Sequence, residues 1–440
     1  MDKKPTGTFR ALSVRNFRLF AAGQVVSAAG TWMMVMAQDW LVLSMTDDSG
    51  TALGAVTALQ FAPLLLFTLY GGRLADRHDK RRLLIAANLV SGTLTCLLTL
   101  LVLSDAVQVW HICLFALGLG TVNAVEVPTR MSFVGELVGA ELLPNASALS
   151  AAYFNIARVV GPAVAGLLIS VAGIGPVMLL NAVSYLATVL VLRMMRPAEL
   201  HLTAKPSARP RIVDGLRHVT GRPDLLLPMA LVGVIGLFGL NFQLTLPLMA
   251  KTEFHTDASN FGLLTTAFAA GSLLAALATT ARRGRPSSRT VTTAALAFGL
   301  VTTAAGGAPD HLTAAVLLAL TGFAALYFAQ AANHRVQLGS DPAYRGRVMA
   351  LYTLVLQGST PLGALLVGRL SQEFGARSGL YVGGIVSLTA AAGAYAVQRT
   401  RRRRTGPALP PPSPRPSKPE GPGTADVSRA PEERQGSHGS

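Results

Sequence analysis

Among the ionisable residues inside long apolar runs of this 440-residue sequence, Asp39 in Phe17–Met45, Glu126 at the end of Val107–Val127 and Arg158 in Asn145–Val171 could do chemistry. A charge surrounded by hydrocarbon is costly, so such groups pair, face a water-filled space, or act on an ion or ligand. Burial and a neighbouring Arg act in opposite senses on a carboxylate, and a group held between them changes protonation when its surroundings change. That chemistry suits proton carriage. Asp39, paired with Arg158 directly or through a ligand, is the expected proton-carrying group, and Glu126 is the alternative. Arg130 stands four residues after Glu126, on the same helical face, and competes for it.

The same runs carry many amides. Gln38, Asn155, Asn241 and Gln330 are expected to line a polar cavity, and Gln60, Asn123, Asn181, Gln243, Asn333 and Gln357 either join them or bridge helices. Trp32, Phe61, Phe238, Phe242 and Tyr327 would supply an apolar wall.

Positioning these groups falls to helices in lipid. Hydrophobic residues make up 51% of the chain and charged ones 14%, and mean hydropathy is +0.45 over the whole length. A bilayer core about 30 Å thick needs roughly 20 apolar residues per helical crossing. Twelve runs meet that need: Phe17–Met45, Thr51–Leu74, Leu83–Leu103, Val107–Val127, Asn145–Val171 and Ile174–Leu192, then Leu225–Met249, Asn260–Thr280, Val291–Ala308, Leu312–Ala332, Val348–Leu370 and Leu380–Val397. They are called the first to twelfth spans. The ninth, short and rich in Thr and Ala, carries the weakest signal. The expected fold is an all-α membrane protein of about twelve transmembrane helices in two six-helix halves.

All but four of the 38 Lys and Arg fall at the N-terminus, in the even-to-odd loops or in the tail, the four being Arg158, Lys251, Arg369 and Arg377. Cytoplasmic loops carry the excess of basic residues. Both termini are therefore expected in the cytoplasm of a bacterial plasma membrane. This predicts a cytoplasmic N-terminus at 1–16, a helical bundle at 17–192, a cytoplasmic loop at 193–224, a second bundle at 225–397, and a disordered tail at 398–440. The net charge of +16 reflects this topology and implies no nucleic acid. Cys96 and Cys113 lie in apolar runs with no metal-like spacing, and nothing calls for a metal or cofactor.

The loop Gly71-Gly72-Arg73-Leu74-Ala75-Asp76-Arg77-His78-Asp79-Lys80-Arg81-Arg82 resembles the signature loop of the major facilitator superfamily. Gly72, Asp76, Arg77, Arg81 and Arg82 match, and Asp79 stands where the family usually has a second Gly. Glu126-Val-Pro-Thr-Arg130 and Tyr344-Arg345-Gly346-Arg347 are similar to family elements at the inner ends of the fourth and eleventh spans. Asn155-Ile-Ala-Arg158-Val-Val-Gly161-Pro162, with Gly166 beyond, resembles the fifth-span Gly-Pro element of proton-coupled exporters, matched at Gly161, Pro162 and Gly166, where small residues permit close helix packing.

The resemblance, nearest to the branch that includes the bacterial enterobactin exporter, covers the membrane region. It implies a cytoplasmic latch of Gly72, Asp76, Arg77, Arg81, Arg82, Arg130, Arg345 and Arg347, with Asp76 at the start of the eleventh span. It further implies export of a small amphipathic molecule by proton antiport, through a monomer needing only substrate, protons and the bilayer. Import of a metabolite and a non-transporting sensor are the alternatives. An enzyme would need a nucleophile or phosphate-binding motif, and neither a Gly-x-Ser-x-Gly turn nor a Gly-x-x-x-x-Gly-Lys loop is found.

The charge asymmetry generates a direct test. A cysteine placed after Arg404 and another near Asp48 are expected to react with a membrane-impermeant reagent from opposite sides of the membrane. Reaction of both from outside intact cells would refute the topology.

Overall fold

A computed structural model describes residues 9–201, 212–280, 284–342 and 344–405. The expectations for 1–8, for 202–211 of the central loop and for the tail at 406–440 lie outside the described residues. The chain divides after Gln398 into a membrane body and a separate unit, Arg399–Ser440, whose described part is helical.

The body is helical throughout because lipid offers a backbone no hydrogen-bond partners, and a helix satisfies its own. Its helices are Arg15–Met45, Gly50–Arg77, Lys80–Leu103, Val109–Ala172, Ile174–Met194, a broken span across Pro223–Glu253, Ala258–Thr280, Ser288–Gly306, His311–Gly339, Arg345–Phe374 and Arg377–Thr405. Val109–Ala172, at 64 residues, supplies two spans, because Gly139 breaks it with φ 72° and ψ 177°, a backbone region open to glycine. Ser288–Gly306, the Thr- and Ala-rich ninth span, is 19 residues long. Among the described residues ten helices are long and apolar enough to cross a membrane; the break at Gly139 divides one of them into two spans, and Ser288–Gly306 takes the place of the ninth span.

Several boundaries differ from the apolar runs. The fourth helix continues past Val127 to Val138, so Arg130 and Glu136 are helical, and Glu136 accepts a bond from Lys80. The central segment is not wholly a loop: Ile212–Thr220 is a helix, with His218 stacked on Tyr344 at 4.5 Å and facing Asp341 at 3.4 Å. The twelfth helix runs to Thr405, through the basic cluster assigned to the tail, because neither Gly nor Pro follows Gly393 until Gly406. Asp79, the departure from the family loop, caps the third helix by accepting from the Arg82 N–H at 2.9 Å. Its φ of −61° requires no glycine.

Each half is tied internally at the face that carries the basic loops. Asn16 and Arg196 exchange two hydrogen bonds, and Arg81 donates to the last carbonyls of the sixth span, Leu192 at 2.6 Å and Arg193 at 3.0 Å. Arg285 and Arg222 both reach Asp224.

Bonds between the halves gather toward the opposite, acidic face. The second span packs along the eleventh and the fifth along the eighth. Gly50 donates to Gln372 at 2.8 Å, Thr266 to the Val159 carbonyl at 3.3 Å, and Lys251 pairs with Asp48 at 2.6 Å. These seams depend on absent side chains. A Cβ on Gly54 would stand 2.5 Å from the Ala364 carbonyl oxygen, and one on Gly166 2.8 Å from that of Ala258. Gly161 meets the first span instead, 2.7 Å from Trp32 Cβ, and Pro162 faces Gly262. By contrast, a Cβ on Gly72 or Gly346, at the basic face, would meet nothing within 4 Å.

Gly54→Val and Gly166→Val are expected to prop the acidic face apart, since overpacking a close seam costs about 1–3 kcal/mol. A cysteine at Thr265 should then react severalfold faster with an impermeant reagent from the acidic side. An unchanged rate would show that these seams do not form the seal.

Candidate functional site

One stripe of the first helix organises the site. Gln24, Ser27, Ala28, Thr31, Trp32, Val35, Met36 and Asp39 recur at spacings of three and four, so all fall on one face, about 22 Å long at 1.5 Å per residue. That face lines two adjoining cavities of about 360 and 240 Å³. Trp32, Val35, Phe61 and Gln243 line both.

The larger cavity lies between the halves, with Asp39, Arg158 and Pro162 on one side and Asn241, Phe268 and Gln357 on the other. A break in the seventh span shapes it. The helix Pro223–Phe238 stops, Phe242–Leu248 resumes, and a wider turn covers Met249–Glu253. Gly239 weakens the helix and Pro247 lacks an N–H, while the Asn241 amide donates to the Leu237 carbonyl at 2.8 Å. The break turns Asn241, Phe242 and Gln243 into the cavity, where irregular backbone is tolerated in a membrane.

Asp39 is 1% exposed, and its Oδ1 has no hydrogen-bond partner. The Arg158 guanidinium lies over Trp32 at 5.4 Å and Phe268 at 5.8 Å. Both line this cavity, but no ion pair joins them among the described residues, so the expected direct pairing is corrected: in this conformation the aromatic rings hold the cation. Glu126 and Arg130 line the smaller cavity and bind each other at 2.9 Å.

Of the four amides expected in the cavity, Asn241 lines it. Gln38 is 2% exposed and donates to Gln60 at 3.4 Å, because a step of one residue from Asp39 turns about 100° off the lining face. Asn155 lies two turns from Pro162, beyond the larger cavity, and donates to its own helix at Ala151. Gln330 is outside both linings, one residue past Ala329, which faces the larger cavity. Gln243, Gln357, Thr265 and Phe268 fill those places. The stripe spacing in the first span was the available signal; in the eighth span, where Thr265 and Thr266 are neighbours on different faces, the sequence carried none.

Over residues 6–408 the sequence matches the family of transmembrane secretion effectors, within the major facilitator superfamily. The chain belongs to this family. It is a multi-pass membrane transporter and not an enzyme. The multidrug efflux pump Tap of Mycolicibacterium fortuitum is 29% identical over 374 residues, 81% of this chain and 89% of that protein. The macrolide efflux protein A of Streptococcus pyogenes is 25% identical over 80% of this chain and 89% of its own. The staphyloferrin A transporter of Staphylococcus aureus is 26% identical over 59% of this chain, which spans 66% of that protein, just under two thirds. These relatives support the superfamily without singling out the enterobactin exporter.

Solved structures share the fold at low identity. The nucleoside transporter NupG superposes with a TM-score of 0.69 at 12% identity, covering 88% of this chain and 99% of its own. A bacterial homologue of the iron transporter ferroportin, inward-facing, gives 0.68 at 14%, covering 87% and 98%.

In this transporter the residues expected to form the latch are not brought together. Asp76, Arg77 and Arg345 are exposed, Arg81 bonds the sixth span, Arg82 lies near Asp79, and Arg130 holds Glu126. Arg347 lies 5.4 Å from the Tyr344 ring. The acidic face is built differently: Lys251 also reaches Ser44 at 3.3 Å and lies over Trp40, which stacks on the cavity-lining Phe261 at 6.0 Å.

Because Asp76 is exposed and unbonded among the described residues, Asp76→Asn is expected to change the stability of this conformation by less than about 0.5 kcal/mol. Transport should slow if Asp76 works in the opposite conformation. Full transport with equal stability would reduce the loop to a topology signal.

Proposed function

We propose that this transporter exports a small amphipathic molecule across the bacterial plasma membrane in exchange for protons, by alternating access. The observation that carries the reading is the larger cavity, where a buried carboxylate with an unpartnered oxygen and a cation held by aromatic rings face one space between the halves. Its aromatic walls suit an apolar body, and Asp39 and Arg158 suit exchange of a proton against a charged or polar group. The efflux activities named for the Tap and macrolide relatives point the same way.

With the basic face in the cytoplasm, this conformation is closed outward and parted inward. The outer seal is the pair of small-residue seams with Lys251–Asp48. In the opposite state the halves would close around Asp76 at the cytoplasmic start of the eleventh span. The two states then differ in which end of the seams is sealed, and a ligand or proton with different affinity for them drives the exchange. A monomer suffices, since both halves of the cavity come from one chain.

The test compares Asp39→Asn and Glu126→Gln in proteoliposomes with an imposed pH gradient, following proton and substrate flux together. Asp39→Asn is expected to abolish uphill transport and leave downhill equilibration, and Glu126→Gln to retain uphill transport. Uphill transport by Asp39→Asn would transfer the proton role to another group.

A further inference from the structure

The smaller cavity holds Glu126, the alternative proton carrier, but its chemistry differs from that of its neighbour. It lies within the N-terminal bundle, where Gln24 and Ser27 of the first span meet Gln60 of the second, Asn88 of the third, Asn123 of the fourth and Tyr185 of the sixth. Its charged lining residues are Glu126 and Arg130, which neutralise each other. The lobe is therefore polar without net charge. Gln24 and Ser27 are 7% and 8% exposed, line the space, and make no side-chain hydrogen bond among the described residues. Their amide and hydroxyl groups are open to the lobe and are not committed to another side chain, so both are available to a ligand that enters it.

The wall shared by the two cavities carries a second sign. Trp32 Nε1 and Gln243 Nε2 are both buried donors without a partner. Leaving a donor enclosed and unbonded is unfavourable, and a substrate oxygen seated at this waist would relieve it after small side-chain turns.

We infer that the smaller lobe is a head-group subsite for a neutral, hydroxyl-rich moiety, joined by an acceptor oxygen at Trp32 and Gln243 to an apolar body in the larger lobe. The substrate class is thus a neutral amphiphile of the glycoside or polyol-conjugate type. This rests on the larger cavity being the transport site. A site built to hydrogen-bond a polar group rejects an analogue lacking it, which gives Gln24, Ser27 and Gln243 a specificity role separate from proton coupling.

Full-length transporter in lipid nanodiscs is titrated with 2-naphthyl β-glucoside, 2-ethylnaphthalene and 2-naphthylmethyltrimethylammonium. Affinities are compared as wild-type to variant ratios, so that membrane partitioning cancels. Gln24→Leu, Gln243→Leu and Trp32→Phe are each expected to weaken the glucoside by about fivefold, the value of a typical hydrogen bond, and to leave ethylnaphthalene within about twofold, which also reports an intact fold. Trp32→Phe keeps the ring against Arg158. Equal losses for glucoside and hydrocarbon, no effect on the glucoside, or losses confined to the ammonium probe would overturn the assignment. Head-group binding without proton-driven flux of any probe would sink the export reading alone. Proton-driven flux of the ammonium probe with no glucoside binding would sink the subsite alone.

Discussion

Lipid supplies no hydrogen bonds, and most of this structure follows from where that deficit is met. Backbone groups meet it within helices. The Thr and Ser hydroxyls mostly meet it one turn back, as Thr57 does at Leu53 and Thr95 at Ser91. Ionisable groups cannot meet it so locally, and a charge at mid-membrane costs about 2.5–3.5 kcal/mol even on lenient insertion scales. Asp39 and Arg158 are tolerable because both border a space between the halves, and Arg158 also has two ring faces.

The same constraint explains how the halves meet. With no hydrophobic force between helices in lipid, close approach of backbones supplies the contact, and small residues make it possible. Gly54 and Gly166 occupy the acidic ends of two different seams. The ion pair Lys251–Asp48 lies beside them, with Asp48 at φ 62° and Asp47 at φ 47° in a tight turn that bends the chain into the second helix. Through Trp40 and Phe261 this seal is in contact with the cavity wall. A ligand pressing on Phe261 would therefore reach the acidic-face contacts through two stacked rings.

The two cavities divide the chemistry between them. The larger combines aromatic walls with Asp39 and Arg158, whereas the smaller is amide- and hydroxyl-lined and internally neutral. The first helix serves both with one continuous stripe, so a ligand spanning the waist would sense the buried carboxylate of Asp39 and the polar lobe through a single rigid element.

The sequence by itself determined the solvent, the number of crossings and the family. Apolar runs of about 20 residues and one-sided basic loops are local properties, readable without knowing what touches what. Even the ninth span, short and Thr-rich, declared itself as a helix. The sequence also drew attention to Asp39, Glu126 and Arg158, which border the two cavities, because an ionisable residue in an apolar run is conspicuous anywhere. Tertiary structure alone decided which polar groups share a space. Gln38 and Asp39 are adjacent in sequence, yet about 100° of helical rotation sends one to Gln60 and the other to the cavity. Gln243 became a lining residue only because the seventh helix breaks at Gly239–Asn241. That Asp76 stands exposed and apart from the start of the eleventh span in this conformation is likewise a property of the assembled halves that no stretch of sequence carries.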